Sequence, residues 1–306
     1  MKLISFIIII SIFLSSLLSF FLLKVFITSY KAEKFFEIEK IKTLERLIDS
    51  IYRDFENFIS IAVPRIFKAI ISYEVENGIF FENIQKTFED IFLDKNYYNI
   101  SSDLLYNSTF NSYVLKISNI GKNITLIPKN LKIYQNSSFS VTFDIELEVK
   151  IKEEKLEINQ TRKIKREISI LGFEDPYYTI NAKGKAVNFI KDGSYLIFIN
   201  VSNFTFAVNN QLCFPSLNAP CFLDRLEGKS YLTEKCSIGY FCLVDKSYLS
   251  NSGIDVFPER SNVDYIYFSE INISTCKIQN LDSNLYRIDV LHARFFNLTQ
   301  IIYDCT

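Results

Sequence analysis

Few side chains in this sequence can do chemistry, and they fall into three sets. The first is Asp289 and His292 in IDVLHARFF, where the carboxylate precedes the chain's single histidine by three residues. An acid beside an imidazole is the base half of a Ser-His-Asp hydrolase. No GxSxG elbow supplies the serine, and a lone histidine is more often packed or hydrogen-bonded structure. The second set is Glu174-Asp175, just before Pro176. Two adjacent carboxylates can divide general-acid and general-base work in hydrolysis. Asp before Pro, in an extended conformation, more commonly ends a strand in a turn. The third set is the cysteines.

Cys213, Cys221, Cys236, Cys242, Cys276 and Cys305 all lie in the last third of the chain, and none belongs to a CxxC pair. Zinc sites ordinarily use such close couples, because two thiolates must reach one ion across a tight turn. An even set at wide spacings reads as disulfides of an oxidising compartment. Neighbour pairing, 213–221, 236–242 and 276–305, is the simplest of the possible connectivities. Nine Asn-x-Ser/Thr sequons, at Asn99, Asn107, Asn123, Asn136, Asn159, Asn200, Asn203, Asn272 and Asn297, point to exported, glycosylated material as well.

Other chemistries find no support. A single histidine rules out HExxH and any His-rich metal site, and neither a phosphate loop nor GxGxxG is present. A net charge of −1 with interspersed lysine and glutamate gives no electrostatic footprint for nucleic acid. No cofactor is implied.

These groups must be positioned by elements that start at the membrane. Leu3 to Leu23 is a run of apolar and serine residues, long enough as a helix to cross the roughly 30 Å hydrocarbon core. It exceeds a signal-peptide core and lacks a cleavage site at its end, so a retained anchor over 1–29 is expected, with the lipid bilayer as partner. Lys24, Lys31, Lys34 and Lys40 behind it favour a cytoplasmic body. The cysteines and sequons, which sample the whole chain, favour a single-pass protein with its C-terminal domain outside.

Ile41, Leu44, Ile48, Ile51, Phe55, Phe58 and Ala62 then recur at alternating spacings of three and four, a heptad-like stripe. It opens a helical stalk or subdomain over 30–95. Pro64 is expected to break the first helix, Asn77-Gly78 to stop the second, and Glu82–Leu93 to form a third. Beyond about residue 110 the period falls to two. Phe139 to Ile151 alternates apolar with polar residues, which predicts a long strand that folds back at Glu153-Glu154 and sets Ile151 against Leu156. Tyr195–Val201, Phe204–Val208 and Tyr265–Phe268 read as short strands. The fold class is α+β: transmembrane helix, amphipathic helices, then an antiparallel sheet with a long hairpin in a β-rich region over 110–306, its disulfide-rich part starting near 210.

LGFEDPYY (171–178), FLDRLEGKS (222–230), GIDVFP (253–258), VDYIYF (263–268) and IDVLHARFFNLT (288–299) occur in this order behind the anchor. Together they resemble a group of archaeal single-anchor, pilin-like surface proteins. That resemblance implies a glycosylated ectodomain, partners among envelope or pilus-like proteins, and a structural or adhesive role without catalysis. The competing expectation is a membrane-tethered hydrolase working through Glu174 and Asp175 or through His292.

Overall fold

A computed structural model describes residues 2–94, 100, 102–121, 123–153, 156–196, 201–269 and 273–305. The sequons at Asn99, Asn200 and Asn272 and the turn at 154–155 lie outside the described residues.

One helix, α1 (Lys2–Asn77), carries the apolar run and the heptad-like stripe without interruption. It is long and apolar enough in its N-terminal part to cross a membrane. Described side chains as far as Glu39 are exposed, and burial starts at Leu44. From there Leu44, Ile48, Ile51, Phe55, Ala62, Ile66, Phe67 and Ile70 are fully or almost fully buried. Pro64 does not end the helix. Proline removes one backbone donor, but Val63, Ile66 and Phe67 lock both sides of it into the core, so tertiary packing outweighs the lost bond. The helix stops where expected, with Gly78 in the left-handed region at φ 64°.

Three short helices follow: α2 (Ile84–Phe92), capped by Asn83, α3 (Ser102–Leu105) and α4 (Phe110–Ser118), capped by Thr109. The α4 segment is helical where an extended chain was expected from about 110.

A three-stranded antiparallel sheet comes next: β1 (Asn123–Ser137), β2 (Ser140–Glu153) and β3 (Leu156–Ser169), with β2 central. Ile151 faces Ile158, and Ile145 faces Ile164, two residues from the expected register. A shift of two keeps every side chain on its face. In this register Ile145 and Val141 meet Ile164 and Ile168, while Phe143 and Leu147 stand opposite Arg166 and Arg162.

The apolar face of β2, from Val141 to Ile151, is completely buried in one cluster with α1 and α2. Its polar face is covered too. Glu148 is held by Lys129 at 2.5 Å and Lys150 at 3.1 Å. The Lys129 bond, with Asn159 and Lys150, pulls the Glu148 carboxyl down to about 2. Helix and sheet are clamped by Tyr52, whose hydroxyl bonds the Leu147 and Gln160 carbonyls at 3.1 and 2.7 Å. Ion pairs Arg162–Asp49 and Arg166–Glu56 add to the clamp.

The remaining chain is built from short pieces: α5 (Pro176–Asn181), α6 (Val201–Asn209), β4 (Cys213–Ser216), α7 (Phe222–Leu226), β5 (Gly239–Cys242), α8 (Lys246–Asn251), α9 (Asp264–Tyr267), β6 (Thr275–Ile278), β7 (Arg287–Asp289), α10 (Val290–Phe295) and β8 (Ile302–Tyr303). β4 pairs with β5, and β6 lies between β7 and β8. Two expected strands are helices. Phe204, Ala207 and Val208, at helical spacing, are the buried positions of α6, so the alternation in FTFAV misled. In α9, Tyr265, Ile266 and Tyr267 are all buried, a single turn enclosed on every side. Of the Tyr195–Val201 strand, 197–200 lie outside the described residues; Tyr195 is in a turn.

All six cysteines are bonded, as 213–242, 221–236 and 276–305. The last is the expected neighbour pair, whereas the first two are nested. β4 and β5 place Cys213 directly opposite Cys242, and that pairing leaves Cys221 and Cys236 to close the loop inside it.

Phe55 is fully buried against the rings of Phe58, Phe110 and Tyr113. Phe55→Ala should destabilise the fold by about 3–5 kcal/mol in chemical denaturation. Phe36→Ala, on the exposed stretch of α1, should leave the midpoint unchanged.

Candidate functional site

Asp175 caps α5, its carboxylate accepting the Tyr178 N–H at 3.3 Å, and Pro176 takes the first helical position. Pro at N1 behind an Asp cap is a strong helix start, so the Asp-Pro turn is in fact a helix N-terminus. The other carboxylate oxygen meets Arg225 of α7. The Arg225 Nη1 donates to Asp175 at 2.8 Å and to Asp264 of α9 at 2.7 Å, and Nη2 donates to the Tyr240 carbonyl of β5 at 2.7 Å. The guanidinium stacks 4.3 Å from the Tyr240 ring.

Arg225, Asp175 and Asp264 are all fully buried. Burial drives the Asp175 carboxyl up, against the pull of Arg225 and with the push of Asp264. For Arg225 burial works against the charge, but the two carboxylates outweigh it and raise its pKa further.

His292 and Asp289 also meet. Asp289 caps α10 through the His292 N–H at 3.0 Å, and the imidazole Nδ1 lies 2.8 and 2.9 Å from its two oxygens. The Ser261 hydroxyl, however, donates to Asp289 at 2.9 Å rather than to the ring. A triad needs its serine on the far nitrogen of the imidazole, so these residues form a buried cap rather than a nucleophile. Burial disfavours the Asp289 charge, but the His292 and Ser261 bonds more than offset it and hold the carboxyl low.

Glu174 behaves differently. Its backbone bridges Phe189, and its side chain is half-buried with Oε1 enclosed and unpartnered. It lines a groove of about 410 Å³ between α1 and the 172–174 turn, together with Lys68, Ser72, Glu76, Leu104 and Phe189. The Ser72 hydroxyl donates to Glu76 at 2.8 Å, and the Lys68 ammonium lies 5.7 Å over the Phe173 ring. Glu174, Asp175 and His292 therefore do not form one site. Only Glu174 faces a groove, and Glu76 is the second carboxylate there.

The expectation of a chain without catalysis is corrected by two further groups. Cys221, Asp224 and Cys236 converge in one, and Asp175, Cys242 and Asp264 in the other, each with three potential ligand atoms within 4.8 Å of one another. Donor sets of this type serve metal centres and metal-assisted catalysis. In the oxidised chain their sulfurs are tied in disulfides. Asp224 accepts from the Thr233 N–H and hydroxyl at 3.0 and 2.5 Å, while Arg225 supplies the cation between Asp175 and Asp264. A metal ion would need thiolates, made by a dithiol reductant, and in the second group would compete with the guanidinium.

Sequence reasoning missed Arg225, Asp264 and Glu76. A buried arginine carries no periodic signal, and Glu76 is an ordinary polar position on the outer face of a helix. Lys246 was missed as well. It is almost fully buried, donating to the Pro258 and Arg260 carbonyls at 3.0 and 2.7 Å. Burial, then the nearby Arg287 charge, lowers its pKa to about 7.

No family model, curated protein or solved structure matches the chain.

Two predictions follow from the buried cations. Arg225→Met leaves two carboxylates without their cation and should cost about 3–5 kcal/mol in denaturant titration. Lys246 binds fewer protons folded than unfolded between pH 7 and its ordinary 10.5, so stability rises with pH through that window. Lys246→Met should therefore stabilise most below pH 7, by up to about 5 kcal/mol, with the gain shrinking toward pH 10.5 in melting curves.

Proposed function

We propose that this chain is a membrane-tethered hydrolase whose body is displayed on the oxidising side of the membrane and whose substrate lies in the groove beside α1. The observation that carries the reading is the placement of Glu174. Alone among the three acid–base candidates of the sequence it reaches an open groove, and a second carboxylate, Glu76, shares that groove. A carboxylate pair across a cleft can protonate a leaving group from one side and activate water from the other. Glu174 and Glu76 are the two carboxylates that would divide this work, and the Ser72 hydroxyl orients Glu76.

Three disulfides support external display, since such bonds persist in oxidising compartments. The sequons at Asn107, Asn123, Asn136, Asn159 and Asn297 are exposed, as glycan acceptors must be; Asn203 is half-buried. The exposed stretch of α1 between the apolar run and Leu44 would hold the body about 30 Å from the bilayer. The resemblance to archaeal envelope proteins agrees with that arrangement and makes envelope polymers and their protein partners the substrates within reach.

External protease added to intact cells should remove the body, and protection of the body would defeat external display. Purified full-length protein should turn over one class in a panel of chromogenic glycosides, esters and peptides. Glu174→Gln and Glu76→Gln should each lower kcat by about 100-fold or more with unchanged melting. A panel in which no class reacts faster with wild type than with the double variant would remove the hydrolase.

A further inference from the structure

A second cavity, of about 250 Å³, shares no lining residue with the groove. It lies where the turn after α5, the loop after α8 and the α9 segment meet, and three cations front it: Lys183, Lys185 and Arg260. Among the described residues none of the three is ion-paired. Arg260 Nη1 donates to the Tyr267 and Ser269 carbonyls at 2.7 and 3.2 Å, and Lys185 Nζ to the Gly253 carbonyl at 3.2 Å. Asp255 is the single carboxylate in the lining. Like charges gathered in one recess repel, so the arrangement stores a field that an anion relieves.

The rest of the lining limits the anion. Phe257, Tyr267 and Phe268 supply rings, and Asp255 and Asn181 supply an acceptor and an amide. An apolar wall with a few converging polar groups is the usual make-up of a small-molecule site. The amide and carboxylate suit hydroxyl groups, which both donate and accept. The volume holds one sugar-sized ring rather than a chain.

The cavity is also fixed from several sides. The Arg260 guanidinium is stacked 4.4 Å over the Phe257 ring. Buried Lys246 ties the backbone of Pro258 and Arg260 from behind. Lys183 and Gly184 are both left-handed, at φ 53° and 69°, a conformation a lysine adopts only at some cost; it lets residues 183 and 185 both front the cavity.

We infer that this cavity binds a monosaccharide-sized anion, a sugar bearing a carboxylate or a phosphate, with Lys183, Lys185 and Arg260 on the charge and the aromatic rings against the sugar. The site stands independently of the hydrolase reading, because the two sites share no residue.

Titration calorimetry on the full chain in detergent micelles tests it with glucuronate, glucose 6-phosphate, glucose and inorganic phosphate as probes. At least one charged sugar should bind about tenfold or more tighter than glucose and inorganic phosphate, and the tighter of the two identifies the charge. The exposed pair K183Q/K185Q should weaken that binding about tenfold or more at unchanged melting temperature. Inorganic phosphate binding as tightly as the sugars would overturn the sugar assignment. Absence of saturable binding, or binding unchanged in the double variant, would overturn the site.

Discussion

The C-terminal half of the molecule is organised around one buried cation. Arg225 connects the cap of α5, the single turn α9 and the backbone of β5, three elements far apart in sequence and too short to stand alone. A guanidinium can do this where a lysine cannot, because its planar fork reaches several acceptors at fixed angles. A buried ion group is not in itself a strong source of stability, since desolvation consumes most of the Coulomb gain. Its effect is selective: any other packing of α5, α7 and α9 would leave a charge buried without a partner. Tyr240, stacked on the guanidinium and bonded to it through its carbonyl, extends the same constraint into the strand that carries Cys242.

The N-terminal half rests on the opposite principle. Its core is apolar and continuous from Leu44 through β2 into α2 and α4, and its order comes from length: one helix supplies a whole wall. Because α1 runs into this core without a break, its apolar N-terminal stretch and the helix wall of the folded body belong to one continuous element. The groove with Glu174 and Glu76 lies along that element.

These two principles explain what the sequence reveals. Where order comes from long periodic faces, it was legible: the stripe from Ile41, the stop at Gly78, the helix near Ile84 and the alternation of β2 are all present in the structure. Register was legible only to its parity, because alternation specifies a face and not a partner. In the C-terminal half, elements of two to nine residues carry too few repeats to distinguish a helix turn from a strand, as α6 and α9 show. The candidate chemistry failed for a related reason. Asp175 and Asp289 stood out as acids near Pro176 and His292, yet those spacings are helix-cap spacings, and both serve as caps. Glu76 and Arg225, which matter to the groove and the core, look in sequence like any exposed charge and any helix arginine.

The disulfides complete the argument about the short elements. The loops they close separate the bonded cysteines by 29, 15 and 29 positions, and closing a loop near the shorter length removes unfolded-state entropy equivalent to about 3 kcal/mol. The nested pair matters most here. Cys221 immediately precedes α7 and Cys242 ends β5, so the two bonds bracket Arg225 and Tyr240 within one closed segment. The cross-links limit the freedom of the chain around the cation, and the cation then selects one packing among those that remain. Reduction would loosen the surroundings of Arg225 while freeing the thiols that converge with Asp224 and with Asp175 and Asp264. Covalent closure and the buried ion group are thus one device, dependent on an oxidising environment.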